Sequence, residues 1–361
     1  MRGSWSVWRA CLAVVISLGL AGTARARAPV KLTGDLSHRL LEYKITESTQ
    51  DPQTGRTHTT VKSTATERVR LHLAQTTQNL EWRCSLFTID TRNFTSSALP
   101  LARQSDHVLS PGDFHFVNFY AQRNLTDRFR VRLGRTQVPF MSYKSELLWD
   151  NNIAWDGLWI EAPSGFDRNT VWHGGVFQVH SDLRFRGDRL QVVGLLGTPR
   201  LGSVKAHWRI DHFDCDLREV SRFAPKACLR APGYRTINLS GSLEWPNQLR
   251  LSLDVSRNVR ANAPGADHRG GEAINATVLA GRLRHNGTSQ FVCQYWRLGP
   301  HAVPTAFASY PNLEGPQLTW RYRLTRQTSL AVEFYRLHRV ENHLASDQHW
   351  EKWKYLIDHA F

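Results

Sequence analysis

The sequence predicts an all-β chain that closes on itself as an antiparallel transmembrane barrel of about sixteen strands, in the range ~14–18. Three observations predict it: an export-type segment at the start, strands that alternate apolar and polar residues, and connections that alternate long and short.

The first element is residues 1–26. Arg2 and Arg9 give a basic start, an apolar run extends from Cys11 to Leu20, and small residues follow at Ala21, Gly22, Ala24 and Ala26. That order reads as a cleavable secretory signal, because the run is too short to span a bilayer as a helix. No later stretch approaches the ~18 apolar residues a spanning helix needs. The expected organisation is a signal over 1–26 and one barrel domain over 27–361. Barrel strands escape a hydropathy plot because only one of their faces is apolar.

The strands come next. In 249–256, Leu249, Leu251, Leu253 and Val255 share one face, and Arg250, Ser252, Asp254 and Ser256 share the other. In 317–324, Leu318, Trp320, Tyr322 and Leu324 oppose Gln317, Thr319, Arg321 and Arg323. A helix would scatter these residues around its axis, whereas a strand sorts them onto two faces. Similar segments lie near 30–46, 59–75, 79–90, 113–123, 128–138, 157–162, 170–180, 189–198, 203–213, 234–245, 273–285, 288–298, 329–337 and 349–361.

The connections supply the third observation. Stretches 47–58, 91–112, 139–156, 214–233, 258–272 and 299–316 are long. Those at 76–78, 124–127, 246–248, 325–328 and Asn286-Gly287 are short. A membrane barrel has short periplasmic turns on one rim and long outer loops on the other, which is this alternation; a soluble sandwich has no reason for it. In the last strand Trp353, Tyr355, Ile357, His359 and Phe361 share a face that suits lipid contact.

Composition narrows the partners. The formal charge is +15, and it stays strongly positive once Arg2, Arg9 and Arg25 leave with the signal. In an exported chain such a balance points to anionic lipid headgroups and lipopolysaccharide, anionic polysaccharide or small anionic solutes, and not to nucleic acid. Of five cysteines, Cys11 belongs to the signal segment. Cys215 and Cys228 share one loop-like stretch and are expected to form a disulfide in an oxidising compartment, while Cys84 and Cys293 lie in strands. No C-x-x-C, HExxH or G-x-S-x-G pattern occurs, so no metal, cofactor or enzymatic activity is expected. The glycines of His173-Gly174-Gly175 read as relief of crowding in a strand.

Residues 128–162 carry a more specific signal: Gly134-Arg135 at a strand end, then Pro139-Phe140, Leu148-Trp149-Asp150 and Asp156-Gly157. This arrangement resembles the putative porin family of Gram-negative outer membranes, and more weakly the alginate-export-type barrels. The resemblance implies an outer-membrane channel for passive diffusion. It also implies that terminal Phe361 is the signal read by the barrel-assembly machinery. His359 departs from the usual residue two before the end.

Phase then assigns the lumen. A cation at the bilayer midplane costs roughly 2–4 kcal/mol, so the polar set of each strand is expected to face inward. The expected pore-lining cations are Arg68, Arg70, Arg128, Arg130, Arg132, Lys205, Arg209, Arg321, Arg323, Lys352 and Lys354. Arg135 breaks the phase, and a bulge at Gly134 is expected to turn it inward. The loop 140–156, with Lys144, Glu146, Trp149, Asp150 and Asp156, is expected to fold inward as a constriction. The expected solute is small, hydrophilic and anionic. The alternatives are an anionic polysaccharide exporter, a barrel lipase or protease, which needs a clustered Ser/His/Asp set, and a soluble secreted sugar-binding β-protein, which needs a packed interior.

Overall fold

The computed structural model describes residues 29–49, 57–88, 114–137, 154–178, 189–216, 233–259, 271–299, 302, 312–340 and 346–360. The strands are β1 (Lys31–Thr49), β2 (Thr57–Thr76), β3 (Leu80–Thr88), β4 (Phe114–Asn124), β5 (Arg130–Gln137), β6 (Ala154–Pro163), β7 (Thr170–Gln178) and β8 (Arg189–Gly197). There follow β9 (Arg200–Leu201), β10 (Val204–Asp216), β11 (Gly233–Glu244), β12 (Leu249–Asn258), β13 (Glu272–Gly281), β14 (Ser289–Leu298), β15 (Leu313–Arg323), β16 (Thr328–Arg339) and β17 (Ser346–Ala360). Both β8 and β9 pair with β10, so they are two pieces of one stave interrupted at Thr198-Pro199. Pro199 lacks the N–H a ladder requires, but its carbonyl still accepts from the Ala206 N–H at 3.0 Å.

All pairings are antiparallel, and β1 pairs β17 from Asp35↔Ala360 to Thr49↔Ser346. That last pairing closes a sixteen-stave barrel and removes every sheet edge, as a lipid environment requires. The strands segregate their residues as the period-two rule demands. On β11 and β12, Ile237, Leu239, Leu251 and Leu253 are about half exposed, while Asn238, Asp254 and Ser256 are buried. On β15 to β17, Leu318, Trp320, Trp353, Tyr355 and Ile357 point out and Gln317, Thr319 and Glu333 point in. Apolar out and polar in is the inverse of a water-soluble fold, and the apolar exterior meets lipid.

One rim carries the short connections together with the start of β1 at Lys31 and the end of β17 at Ala360. Its turns are held by side chains. Thr126 Oγ1 accepts the N–H of Arg128 and Phe129. Thr325 Oγ1 accepts those of Gln327 and Thr328. Asp167 accepts from the Asn169 N–H and the Thr170 hydroxyl. These bonds hold the Asp167 carboxyl below the usual carboxylate range. The long stretches all leave the opposite rim.

Four expectations need correction. Strand β5 starts at Arg130, so Arg128 sits in the short turn and not on the lumen wall. Strand β13 ends at Gly281, whose φ of 85° takes the chain out of the ladder, so the Asn286-Gly287 turn is part of a longer connection. Asp156 belongs to β6 and not to a loop. The register shift lies between Ser85 and Leu86, opposite β4, and none occurs at Gly134. Gly134 has φ 121°, and a Cβ there would meet the Phe119 carbonyl, so the position keeps its place in the ladder by being glycine.

Candidate functional site

The inner face is built from alternate residues of every strand. Register follows it around the wall: Arg83 lies beside Tyr120, then Gly134, Gly157, Phe177, Leu190, Cys215 and Tyr234.

On β1 to β6 this face is basic. Arg70 lies 3.9 Å from Asp35, and His72 bonds Ser85 at 2.8 Å. The Tyr120 hydroxyl donates to Glu81 at 2.9 Å. Arg132 stands over the Tyr120 ring, 4.3 Å from its centroid. Its guanidinium donates to Gln122 Oε1 at 2.7 and 3.1 Å and to Thr136 Oγ1 at 3.1 Å. Those partners are neutral, so they fix the fork without cancelling its charge. Arg130 faces Glu161 at 3.5 Å.

Farther round, several charges are paired. His173 stacks on Trp159 and reaches Asp211 at 2.5 Å; Arg209 meets the same carboxylate at 2.5 Å. His173 and Asp211 sit on strands two apart, with Gly194 between them in register. A Cβ on Gly194 would meet Asp211 Oδ1 at 2.4 Å and His173 Nε2 at 2.6 Å, so only glycine lets the two side chains join across β8. Gly175 likewise makes room for the Phe177 ring. On β15 to β17, Glu333 accepts from Lys354 at 2.9 Å and Tyr335 at 2.6 Å, with Arg321 at 4.0 Å. Gln317 links Tyr335 to Trp296. Lys352 stands over the Tyr335 ring.

The expected residues therefore divide. Arg70, Arg130, Arg132, Lys205, Arg209, Arg321, Arg323, Lys352 and Lys354 share the inward phase, and Arg68 lies in β2 two residues before Arg70. Arg135 does not share it. With no register shift in β5, Arg135 stays in phase with Val131 and Leu133, and Asp156 in phase with exposed Leu158. The two form a two-point pair at 2.9 and 2.7 Å on the outer face, near the long-loop rim. Lys144, Glu146, Trp149, Asp150, Cys228 and Phe361 lie outside the described residues, while Cys215 is buried in β10 on the inner face. Sequence reasoning missed Arg83, Tyr120, Gln122 and Trp159, and the carboxylates Asp35, Glu81, Glu161 and Glu333. Their alternation is present in the strands, but both faces of β1, β4 and β6 carry apolar residues, which hides the phase. Among the described residues no cluster of His, Cys, Asp and Glu suits a metal ion.

A family model described as a putative porin matches residues 37–193, which include the Gly-Arg and Asp-Gly elements. Solved structures give the same architecture at low identity. OprB of Pseudomonas putida at high pH has a TM-score of 0.62 and 8% identity, covering 92% of this chain and 94% of its own. OmpF of Salmonella typhi, in complex with daunomycin, has 0.55 and 10%, covering 92% and 98%. The channel DcaP of Acinetobacter baumannii has 0.52 and 14%, covering 94% and 99%. No curated protein sequence matches the chain. The resemblance read from the sequence is thereby shown, and so is the closed antiparallel barrel. The chain is a porin-like channel of the bacterial outer membrane.

Proposed function

We propose that this barrel passes small hydrophilic solutes by diffusion and prefers anions, without catalysis. The observation that carries the reading is Arg132, an inward cation whose described partners are Tyr120, Gln122 and Thr136, all neutral. Arg83 shares its inward phase, and no ion pair to a carboxylate accompanies it among the described residues. Paired cations such as Arg209 and Lys354 contribute little net field, because Asp211 and Glu333 oppose them. In a narrow channel an excess of one sign is focused into a potential of several kT. Rings of Arg favour anions for that reason.

The segment 140–153 is proposed to fold into the lumen as the constriction. What supports this is an inward row on β7 to β11. Phe177, Leu190, Cys215 and Tyr234 adjoin in register and are each at most 2% exposed, which bare walls of a water-filled lumen would not be. Phe140, Leu147, Leu148 and Trp149 of the neighbouring segment supply apolar groups to cover it. Residues 1–26 remain the proposed signal, Phe361 the proposed assembly signal and Cys215–Cys228 the proposed disulfide. Lipopolysaccharide and the assembly machinery remain the proposed partners. The test is the zero-current potential in a planar bilayer under a KCl gradient. Chloride preference is expected; potassium preference at low salt overturns the reading.

A further inference from the structure

We propose that the solute class is the polyhydroxy carboxylates, sugar acids among them, with the hydroxyls taken by an amide–hydroxyl wall on β11 to β13. The proposal rests on the anion preference proposed above and names the substrate class of that channel.

The inner face of β11 to β13 differs from the rest of the wall. Asn238, Ser240, Ser242, Ser252, Ser256 and Asn275 all point inward around Asp254, and these six are small, neutral and able to both donate and accept. Asn238 lies directly beside Ser256, and Ser242 beside Ser252. The wall is incompletely satisfied. The Asn238 amide donates to Ser240 at 2.9 Å, but among the described residues its Oδ1 has no hydrogen-bond partner, and neither has Ser242 Oγ nor Ser256 Oγ. All three residues are more than nine-tenths buried. Buried polar groups are normally paired, and exceptions mark a place where a polar partner belongs. Rotation about χ1 is the motion that would turn a serine hydroxyl toward the lumen.

The chemistry of that partner follows from the atoms. Asn238 Oδ1 accepts, and Ser256 Oγ both accepts and donates. Side by side on paired strands, they match two neighbouring hydroxyls, one donating to the amide oxygen and the other exchanging with the serine. Chloride offers no donor to Asn238 Oδ1. An alkyl carboxylate offers nothing to either group along its chain. Geometry supplies the other half of the ligand. In sixteen staves the strand eight places away lies across the lumen, so β3 faces β12 and β4 faces β13. Arg83, on β3, thus stands across the lumen from the amide–hydroxyl wall, and Arg132, on β5, faces β14 at its edge. A solute with a carboxylate at one end and hydroxyls along its length meets both.

Gluconate and hexanoate separate the possibilities, since both are six-carbon monocarboxylates and only one carries hydroxyls. The full chain is inserted in a planar bilayer, and KCl conductance is followed as each is added at millimolar concentration. Gluconate is expected to reduce the current saturably and hexanoate not. In Ser242→Ala/Ser256→Ala the gluconate effect is expected to be lost, with the KCl reversal potential unchanged. Equal effects of the two anions on the wild-type channel overturn the proposal, and so does full retention of the gluconate effect in a double variant. The wild-type comparison stands even if the variant fails to fold. A wild-type channel that selects potassium over chloride instead overturns the anion reading, which is a separate result.

Discussion

Arg132 and Arg135 are three residues apart on one strand and lie on opposite faces of the barrel. Arg132 points into the lumen, where Tyr120, Gln122 and Thr136 hold it without cancelling its charge. Arg135 points outward, and Asp156 on the next strand neutralises it through two hydrogen bonds. The surroundings explain the difference. Water and passing solute stabilise an inner cation, whereas an outer one near lipid needs a counter-charge of its own. Position in the ladder, and not the presence of arginine, decides whether a charge faces the lumen or the lipid.

The largest effect expected from this contrast is on ion preference. Replacing Arg130 and Arg132 together with Gln should remove most of the chloride preference and move the reversal potential toward zero. Arg135→Gln should leave the reversal potential where it is. Both follow from bilayer recordings across a KCl gradient. The wild-type preference should also weaken as salt rises, since the Debye length falls to ~3 Å at 1 M. Equal shifts from the inner and outer substitutions would erase the distinction between the faces.

Much of this is legible in the sequence. All sixteen staves lie within a few residues of the period-two segments, because lipid on one side and water on the other force alternation. The long–short order of connections was legible because closing a barrel requires it. The phase at Arg135 was not. Gly134 reads as a bulge, yet its glycine serves close backbone approach to Phe119 and Tyr120. Asp156 reads as the end of the loop 140–156, yet it lies in β6, beside Gly157, where a Cβ would meet the Phe177 ring. The inner carboxylates were also hidden. Glu333 sits in a strand whose inward set includes Ala331, Tyr335 and Leu337, so no polar stripe announces it. Only register shows that it meets Lys354.

The next effect concerns pore size. Deleting residues 143–150 should raise single-channel conductance, because the row Phe177, Leu190, Cys215 and Tyr234 would lose its proposed cover. Conductance unchanged in a folded deletion, checked by heat-modifiable gel mobility, would put that segment outside the lumen. A disulfide between Cys215 and Cys228 is a smaller matter of stability. By the chain-entropy argument a loop of this length contributes about 3 kcal/mol. Purified protein should show neither thiol reactive until it is reduced, and reduction should lower the urea midpoint without altering selectivity. Two titratable thiols at these positions under non-reducing, denaturing conditions would dispose of the bond.

The smallest effect tests the outer half of the comparison. The Arg135–Asp156 pair is two-pointed and only partly exposed, at 18% and 28% of the side chains, so it should exceed the usual surface pair modestly. Removing one partner should cost on the order of 1 kcal/mol, because it leaves the other charge uncompensated beside the lipid boundary. Arg135→Gln and Asp156→Asn are each expected to lower the urea midpoint. The double substitution should lower it by less than the two losses added, since neither charge is then stranded. Neighbours in one pair couple in this way, whereas independent sites add. If the losses add, the two groups do not depend on each other, and the outer arginine is not held by Asp156. If the double variant also shifts the reversal potential, Arg135 contributes to the lumen field and the two faces of β5 are not electrically separate.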